Sequence, residues 1–263
     1  MKIISITFAI ILFCLNTYSQ NLQASDLMFK KEITRAIDLR EKQNQPLFSA
    51  GREISKLLVD ATLTGQITPY SSDSLKEGKQ LTVSEFEQLI TIDNGAITQD
   101  TAYMDEYEKQ DYLASLANQT QTPDFYFGKD LYQMELTENV YFSSESSEMR
   151  YQIKAITIFI PAEHPDNIRG IQQPIASYDY NEVMKIFKND PNAIWYNPYN
   201  DSEHRSLENA FELRLFSSYI IKISNPNDDY IVDEVGGDSK KGITQSEKKA
   251  YDLLEFESNL WEN

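Results

Sequence analysis

The chain has 263 residues, and its 41 Asp and Glu outnumber its 24 Lys and Arg, which gives a formal net charge of −17. This acidity excludes a general nucleic-acid binder, which needs a basic surface to displace counterions from phosphate, and it disfavours docking onto anionic lipid. A single cysteine excludes an internal disulfide framework and a cysteine-based zinc site, while an apolar share of 41% indicates a folded protein.

The first residues have the pattern of an export signal. One lysine at position 2 precedes an apolar run that ends at Leu15 and is too short to cross a bilayer as a helix. Small side chains at positions 17 and 19 predict a signal peptide over residues 1–19. The alternative is a lipoprotein signal that ends at Cys14, but the bulky Phe13 argues against lipid attachment there. We therefore expect export to the periplasm, where a mature chain without cysteine is well suited to oxidising conditions.

Helices are predicted in the N-terminal part of the mature chain. The spacing predicts helices over residues 22–42 and 51–64, and a third helix that begins at Thr82. In the first helix, Ile33 and Ile37 would share one side. The third has a capping box, since a glutamate follows Thr82 by three residues.

The period of the apolar residues changes in the middle of the chain. Residues 93–130 are polar and rich in tyrosine, and we expect loops there, with a helix over 106–117 as an alternative. Residues 131–142 and 149–160 alternate in polarity and are joined by a polar run. They predict the two strands of a long antiparallel hairpin.

Helices are predicted again towards the C-terminus. A short helix is expected at 180–188, and a helix that is apolar nearly all round at 207–221, although residues 220–223 could instead form a strand. A final helix would begin at the capping box of Thr244 and run to Trp261.

The order of these elements favours an α+β fold. We expect N-terminal helices, a long antiparallel β-hairpin or small sheet, and C-terminal helices. The mature chain, residues 20–263, would be a single domain, which could divide into a helical part at 20–92 and a core part at 125–263.

Few residues carry the chemistry of a catalytic or metal site. Glu163 and His164 could form an acid–base pair, but they lie in a proline-bounded segment that is typical of a solvated turn. The stretch 225–229 (NPNDD), continued by Asp233 and Glu234, offers oxygen ligands for calcium without the spacing or the glycine of an EF-hand. Glycine-rich phosphate loops and nucleophile elbows do not occur. The sequence therefore predicts no enzyme and no cofactor.

A lone Arg214 inside an apolar band would need a carboxylate or carbonyl partner, in this chain or in another.

Several segments resemble one family in the same order along the chain. Residues 211–220 (FELRLFSSYI), with the Asn-Pro that follows at 225–226, resemble a signature of the GldN/PorN family. Further segments that resemble the family are residues 37–44 (IDLREKQN), 51–58, the hairpin around 138–149, and the closing 256–261 (FESNLW). Together they cover most of the mature chain.

The resemblance implies a periplasmic scaffold. Such proteins form a ring in the type IX secretion system and its coupled gliding motility apparatus. They bind a GldK/PorK-type outer-membrane lipoprotein and contact the GldM/PorM-type inner-membrane motor protein, without inserting into a membrane themselves. The candidate residues for a partner interface or a core signature are Arg40, Phe211, Arg214, Phe216, Tyr219, Leu260 and Trp261.

Two other classes of function stay open at the level of sequence. One is a soluble periplasmic protein that binds a small ligand or calcium. The other is an exported hydrolase that uses a pair of carboxylates.

Overall fold

The computed structural model describes residues 27–71, 75, 78–92, 107, 124–143 and 148–261, with the backbone alone at 27, 28, 143, 148, 260 and 261. The predicted leader lies outside the described residues. So do the residues that join the predicted hairpin and, apart from residue 107, the predicted helix at 106–117.

Within this described part the strands are β1 Leu27–Asp38, β2 Gln133–Ser143, β3 Glu148–Ile160, β4 Gln173–Asp179, β5 Ile194–Trp195, β6 Arg205–Ser206 and β7 Tyr219–Ile223. The helices are α1 Ile54–Leu63, α2 Val83–Ile90, α3 Tyr180–Asn189, α4 Leu207–Glu212, α5 Ile231–Glu234 and α6 Ser239–Trp261. Five strands form one antiparallel sheet in the order β4-β3-β2-β1-β7, and β5 pairs with β6. The fold is α+β, as the sequence predicts.

The prediction of a helix over residues 22–42 is wrong. From Leu27 the chain forms β1, which lies between β2 and β7. Ile33 and Ile37 are four residues apart, a spacing that places them on one side of a helix and equally on one face of a strand. The charged Arg35 between them occupies the same strand face, and it hides the alternation of polarity that would have indicated a strand.

Several other elements are confirmed. Helix α1 ends before Gly65, whose φ of 70° is left-handed and costs glycine little. Helix α2 begins with the predicted capping box, in which the Thr82 side chain accepts a hydrogen bond from the backbone N–H of Glu85. The predicted hairpin is β2 and β3, with a bulge opposite Thr137 and Glu138. Helix α3 is capped by Asp179.

The prediction of one helix over residues 207–221 is also wrong, because two elements occupy this segment. Helix α4 ends at Glu212, and the chain turns through Arg214 at a φ of 53° before β7 pairs with β1. The alternative of a strand at 220–223 is confirmed. The segment is apolar on all sides because a buried helical turn is followed by a partly buried edge strand, and not because one helix is buried all round.

Helix α6 begins earlier than predicted, at Ser239 and not at Thr244. Oδ1 of Asp238 accepts hydrogen bonds from the backbone N–H groups of Lys240 and Lys241, at 3.0 and 3.2 Å, and so caps the helix. Thr244 lies inside the helix, where its hydroxyl donates to the carbonyl of Lys240. The helix therefore begins at the cap that Asp238 provides, and not at the capping box predicted at Thr244.

Two clusters of buried apolar residues pack on the sheet. The larger joins the strands to helices α1 to α4 and includes Leu136, and the smaller joins β1, β2 and β7 to α5 and α6 and includes Val140. Leu136, Glu138 and Val140 alternate along β2 and therefore share one face of the sheet. A glutamate thus lies between the two apolar clusters, and its contacts define the first of two sites.

Candidate functional site

A buried charged cluster is centred on Glu138, whose side chain is fully buried. Arg214 binds this carboxylate with both ends of its guanidinium, Nη1 donating to Oε2 at 2.8 Å and Nη2 to Oε1 at 3.0 Å. Arg35 donates from Nε to Oε1. The expectation that Arg214 needs a carboxylate partner is confirmed, and the partner is in the same chain. Charge-assisted, two-pronged pairs of this kind are among the stronger polar contacts in proteins.

Aromatic rings cover the two guanidinium groups of this cluster. The ring of Tyr151 lies 5.8 Å from Arg35 and 5.2 Å from Arg214, and the ring of Phe216 lies 5.3 Å from Arg214. Burial raises the pKa of Tyr151. With two guanidinium groups and one carboxylate, the cluster ties the turn after α4 to the middle of β1 and β2.

Sequence reasoning missed Glu138 and Arg35 as members of this cluster. The signal was present, because Glu138 occupies an inward position in the alternation of β2 between two apolar residues. A charge at such a position costs free energy unless it is paired, so it indicates an ion-pair partner.

The other candidate residues divide between the core and the surface. Phe211 is buried, with ring centroids 5.2 Å from both Phe187 and Phe216. Tyr219 begins the edge strand β7 and is 44% exposed. Leu260 and Trp261 lie in the last turn of α6, and their side chains are outside the described residues. The structure therefore brings Phe211, Arg214 and Phe216 together.

Arg40 lies just after the end of β1 and is tied to its neighbours. It binds Asp38 through Nε and Nη2, at 3.2 and 2.9 Å, and its guanidinium lies 3.6 Å from the centre of the Tyr132 ring. The Tyr132 hydroxyl donates to Glu163 at 2.6 Å. Burial, together with this hydrogen bond, raises the pKa of Tyr132 to about 12. Glu163 thus serves as an acceptor in this network.

Beside Arg40 there is an open depression of about 950 Å³, which we call the basic pocket. Small and polar residues line it together with three cations and several aromatic and proline side chains. The cations, aromatic residues and prolines are Arg40, Lys42, Arg52, Phe48, Tyr196, Tyr199, Pro46 and Pro198. This combination suits contact with an acidic protein surface, because the cations attract carboxylates and the rings supply apolar area.

The wall of the basic pocket is held by a buried asparagine. The side-chain amide of Asn44 donates to the carbonyls of Asp38 and Ser217, at 2.8 and 3.0 Å, and its oxygen accepts the N–H of Ser217 at 2.7 Å. The N–H of Tyr196 donates to the carbonyl of Pro46 at 2.9 Å. These bonds fix both sides of the pocket in advance of any contact.

Both histidines and the acidic loop take part in local turns. His164 Nδ1 accepts the N–H of Asp166, and His204 Nδ1 accepts the N–H of Asn197. The Asn225 side chain accepts two backbone N–H groups of its own loop. Among the described residues, no group of three or more His, Cys, Asp or Glu has the arrangement to hold a metal ion.

No helix in the described ranges is long and apolar enough to cross a membrane.

The structure is that of an α+β protein in which internal ion pairs join the elements and an open basic pocket lies at the surface. The sequence matches the model of a family described as gliding motility associated protein GldN over residues 22–262. The chain belongs to this family, and it is therefore a component of the gliding motility and type IX secretion machinery, to which the family contributes in the periplasm. A comparison with curated proteins finds no match.

Proposed function

We propose that this chain is a non-enzymatic scaffold subunit of the periplasmic ring of the type IX secretion system. In this role it self-associates, binds a GldK/PorK-type outer-membrane lipoprotein and contacts the GldM/PorM-type motor protein. The observation that carries the proposal is the family match over residues 22–262, which includes both apolar clusters, the buried charged cluster and the basic pocket. The proposal is also supported by the contacts of Glu163 and His164, since Glu163 accepts a hydrogen bond from the Tyr132 hydroxyl and His164 accepts one within its own turn.

Residues 20–263 would form one domain, associated with the outer membrane through the lipoprotein and carrying no lipid of its own. The interior position of β1 supports a single domain, because the N-terminal strand pairs on one side with the hairpin and on the other with β7. Mass spectrometry of the mature protein should find an N-terminus at Gln20. An acylated N-terminus at Cys14 would contradict this part of the proposal.

The candidate residues would have different tasks in such a subunit. Phe211, Arg214 and Phe216 would hold the fold, since they contact one another and the sheet. Arg40 and Tyr219 would lie at partner interfaces together with the end of α6, because Arg40 lines the basic pocket and Tyr219 is exposed on an edge strand. Edge strands and exposed rings are common features of protein contacts.

The test is capture of the full chain from cells that carry the secretion system, through an affinity tag, followed by identification of the proteins that copurify. We expect the lipoprotein and the motor protein. As a matched control, the same capture should be carried out with a variant that carries the exposed change Glu87→Gln on α2. Recovery of the chain alone, together with a melting temperature that rises in calcium, would contradict the scaffold and favour a calcium-binding protein.

A further inference from the structure

The basic pocket carries positive charge that the fold does not neutralise. Arg40 is paired with Asp38, but Lys42 and Arg52 are exposed and have no ion-pair partner among the described residues. Of the described residues that line the pocket, none is Asp or Glu. In a chain with a formal net charge of −17, this local excess of cations can attract an acidic surface.

The rings at the pocket offer apolar area next to these cations. Tyr199 is 89% exposed and Tyr196 is 41% exposed. Tyrosine and arginine in a preformed depression are the residues that most often dominate the free energy of protein association. The surface that fits the pocket is therefore acidic and has apolar side chains at its centre.

Helix α6 presents such a surface on its outer side. Tyr251 and Leu254 are 73% and 57% exposed. The exposed Glu247 and Glu255 lie on the same stripe, because the four residues follow the spacing i, i+4, i+7 and i+8. The opposite side of the helix is internal, since Leu253 packs into the smaller apolar cluster.

The basic pocket and the outer side of α6 are different surfaces. The pocket begins at Leu39, directly after β1 ends. Helix α6 runs alongside β1, because Ser246 lines a depression with Tyr219 near the end of this strand and Phe256 contacts Phe29 near its beginning, with ring centroids 4.7 Å apart. A contact between two different surfaces joins copies head to tail, which generates a ring if the rotation closes.

We propose that the basic pocket of one copy binds the outer side of α6 of a second copy. This inference rests on the proposed ring function and names the contact between neighbouring subunits. Lys42 and Arg52 pair with Glu247 and Glu255 of the neighbour, and Tyr251 and Leu254 of the neighbour lie against the rings of the pocket. The contact also explains how copies of an acidic chain can adjoin, since it places opposite charges together.

The first test uses the absence of cysteine outside the predicted leader, in which Cys14 lies. The full-length protein with Ser49→Cys in the pocket and Leu254→Cys on α6 is expressed in place of the wild type, and disulfide-linked species are followed in cells. A ladder of linked copies is expected. The matched control, Ser49→Cys with Lys185→Cys on α3, should give no ladder. Absence of the ladder from the first variant, or an equal ladder from the control, overturns the inference.

The second test adds reversed charges to the Ser49→Cys/Leu254→Cys background. Lys42→Glu with Arg52→Glu, and separately Glu247→Lys with Glu255→Lys, should each reduce the ladder at least tenfold. Coexpression of the two variants should restore it, because the acidic pocket of one then meets the basic helix of the other. Failure of the mixture to restore the ladder overturns the charge pairing.

Failure of this inference can be distinguished from failure of the proposed function. A large complex that contains the lipoprotein but yields no ladder refutes the contact and leaves the scaffold intact. A chain that copurifies with neither the lipoprotein nor the motor protein refutes the scaffold itself.

Discussion

Glu138→Gln removes the charge at the centre of the buried cluster and keeps the shape of the side chain. The carboxylate is fully buried and accepts hydrogen bonds from two guanidinium groups, Arg35 being 15% exposed and Arg214 32% exposed. Removal of one member of a buried ion pair costs about 3–5 kcal/mol, because the remaining charges are left without compensation. Water can reach both guanidinium groups, so we expect a loss at the lower end of this range, about 3 kcal/mol.

Urea denaturation of the mature protein, followed by circular dichroism, gives the free energy of unfolding of the variant and the wild type. For a domain of this size, a loss of about 3 kcal/mol lowers the melting temperature by roughly 6–12 °C. The control is Glu87→Gln, which removes an exposed carboxylate from α2 and should change the free energy of unfolding by less than about 0.5 kcal/mol. If Glu138→Gln is no more destabilising than Glu87→Gln, the cluster does not hold the sheet to the turn after α4.

Three further predictions concern the backbone, the packing and the response to pH. Arg214→Gly should destabilise the fold by about 1 kcal/mol less than Arg214→Ala in thermal unfolding, because glycine adopts the φ of 53° freely and both variants lose the same guanidinium. Gly128→Ala should destabilise by about 1–3 kcal/mol, since its Cβ would lie 2.4 Å from Cβ of Lys56, whereas Gly242→Ala inside α6 should stabilise by about 0.5–1 kcal/mol. Stabilisation by Gly128→Ala, or destabilisation by Gly242→Ala, would refute the packing described at these two positions. The pKa of Tyr132 is raised to about 12, so folding favours its neutral form and its contribution to stability should be lost as the pH rises from about 10 to 12. Over that range, Tyr132→Phe should lose stability less steeply than the wild type, and an identical slope would contradict this account.

The sequence predicts those elements whose signals are local. The capping box at Thr82 and the period of two in β2 and β3 each depend on residues a few positions apart, and the structure has these elements. The α+β order follows from them. A left-handed glycine after α1 is equally local.

The errors arise where a distant contact decides the local structure. Ile33 and Ile37 are compatible with helix and strand, and the pairing of β1 with β2 and β7 selects the strand. Arg214 breaks the apolar segment because it turns back to Glu138, 76 residues earlier in the chain. Partners so far apart leave no spacing to detect, although an inward glutamate in a strand indicates that a cation must exist.

The basic pocket was accessible to sequence reasoning only in part. Arg40 was a candidate from its place in a family segment, but Tyr196 and Tyr199 come from a loop far along the chain. Asn44 joins the two regions through its bonds to Ser217, and such a bond cannot be inferred from composition or periodicity.

The most direct test of the central claim is the mass of the native complex that contains this chain, isolated gently from cells and measured by mass photometry and electron microscopy. A ring scaffold predicts closed particles of many copies together with the lipoprotein, with a mass many times the 30.4 kDa of the chain. Particles with the mass of one chain, in the presence or absence of calcium, would contradict it.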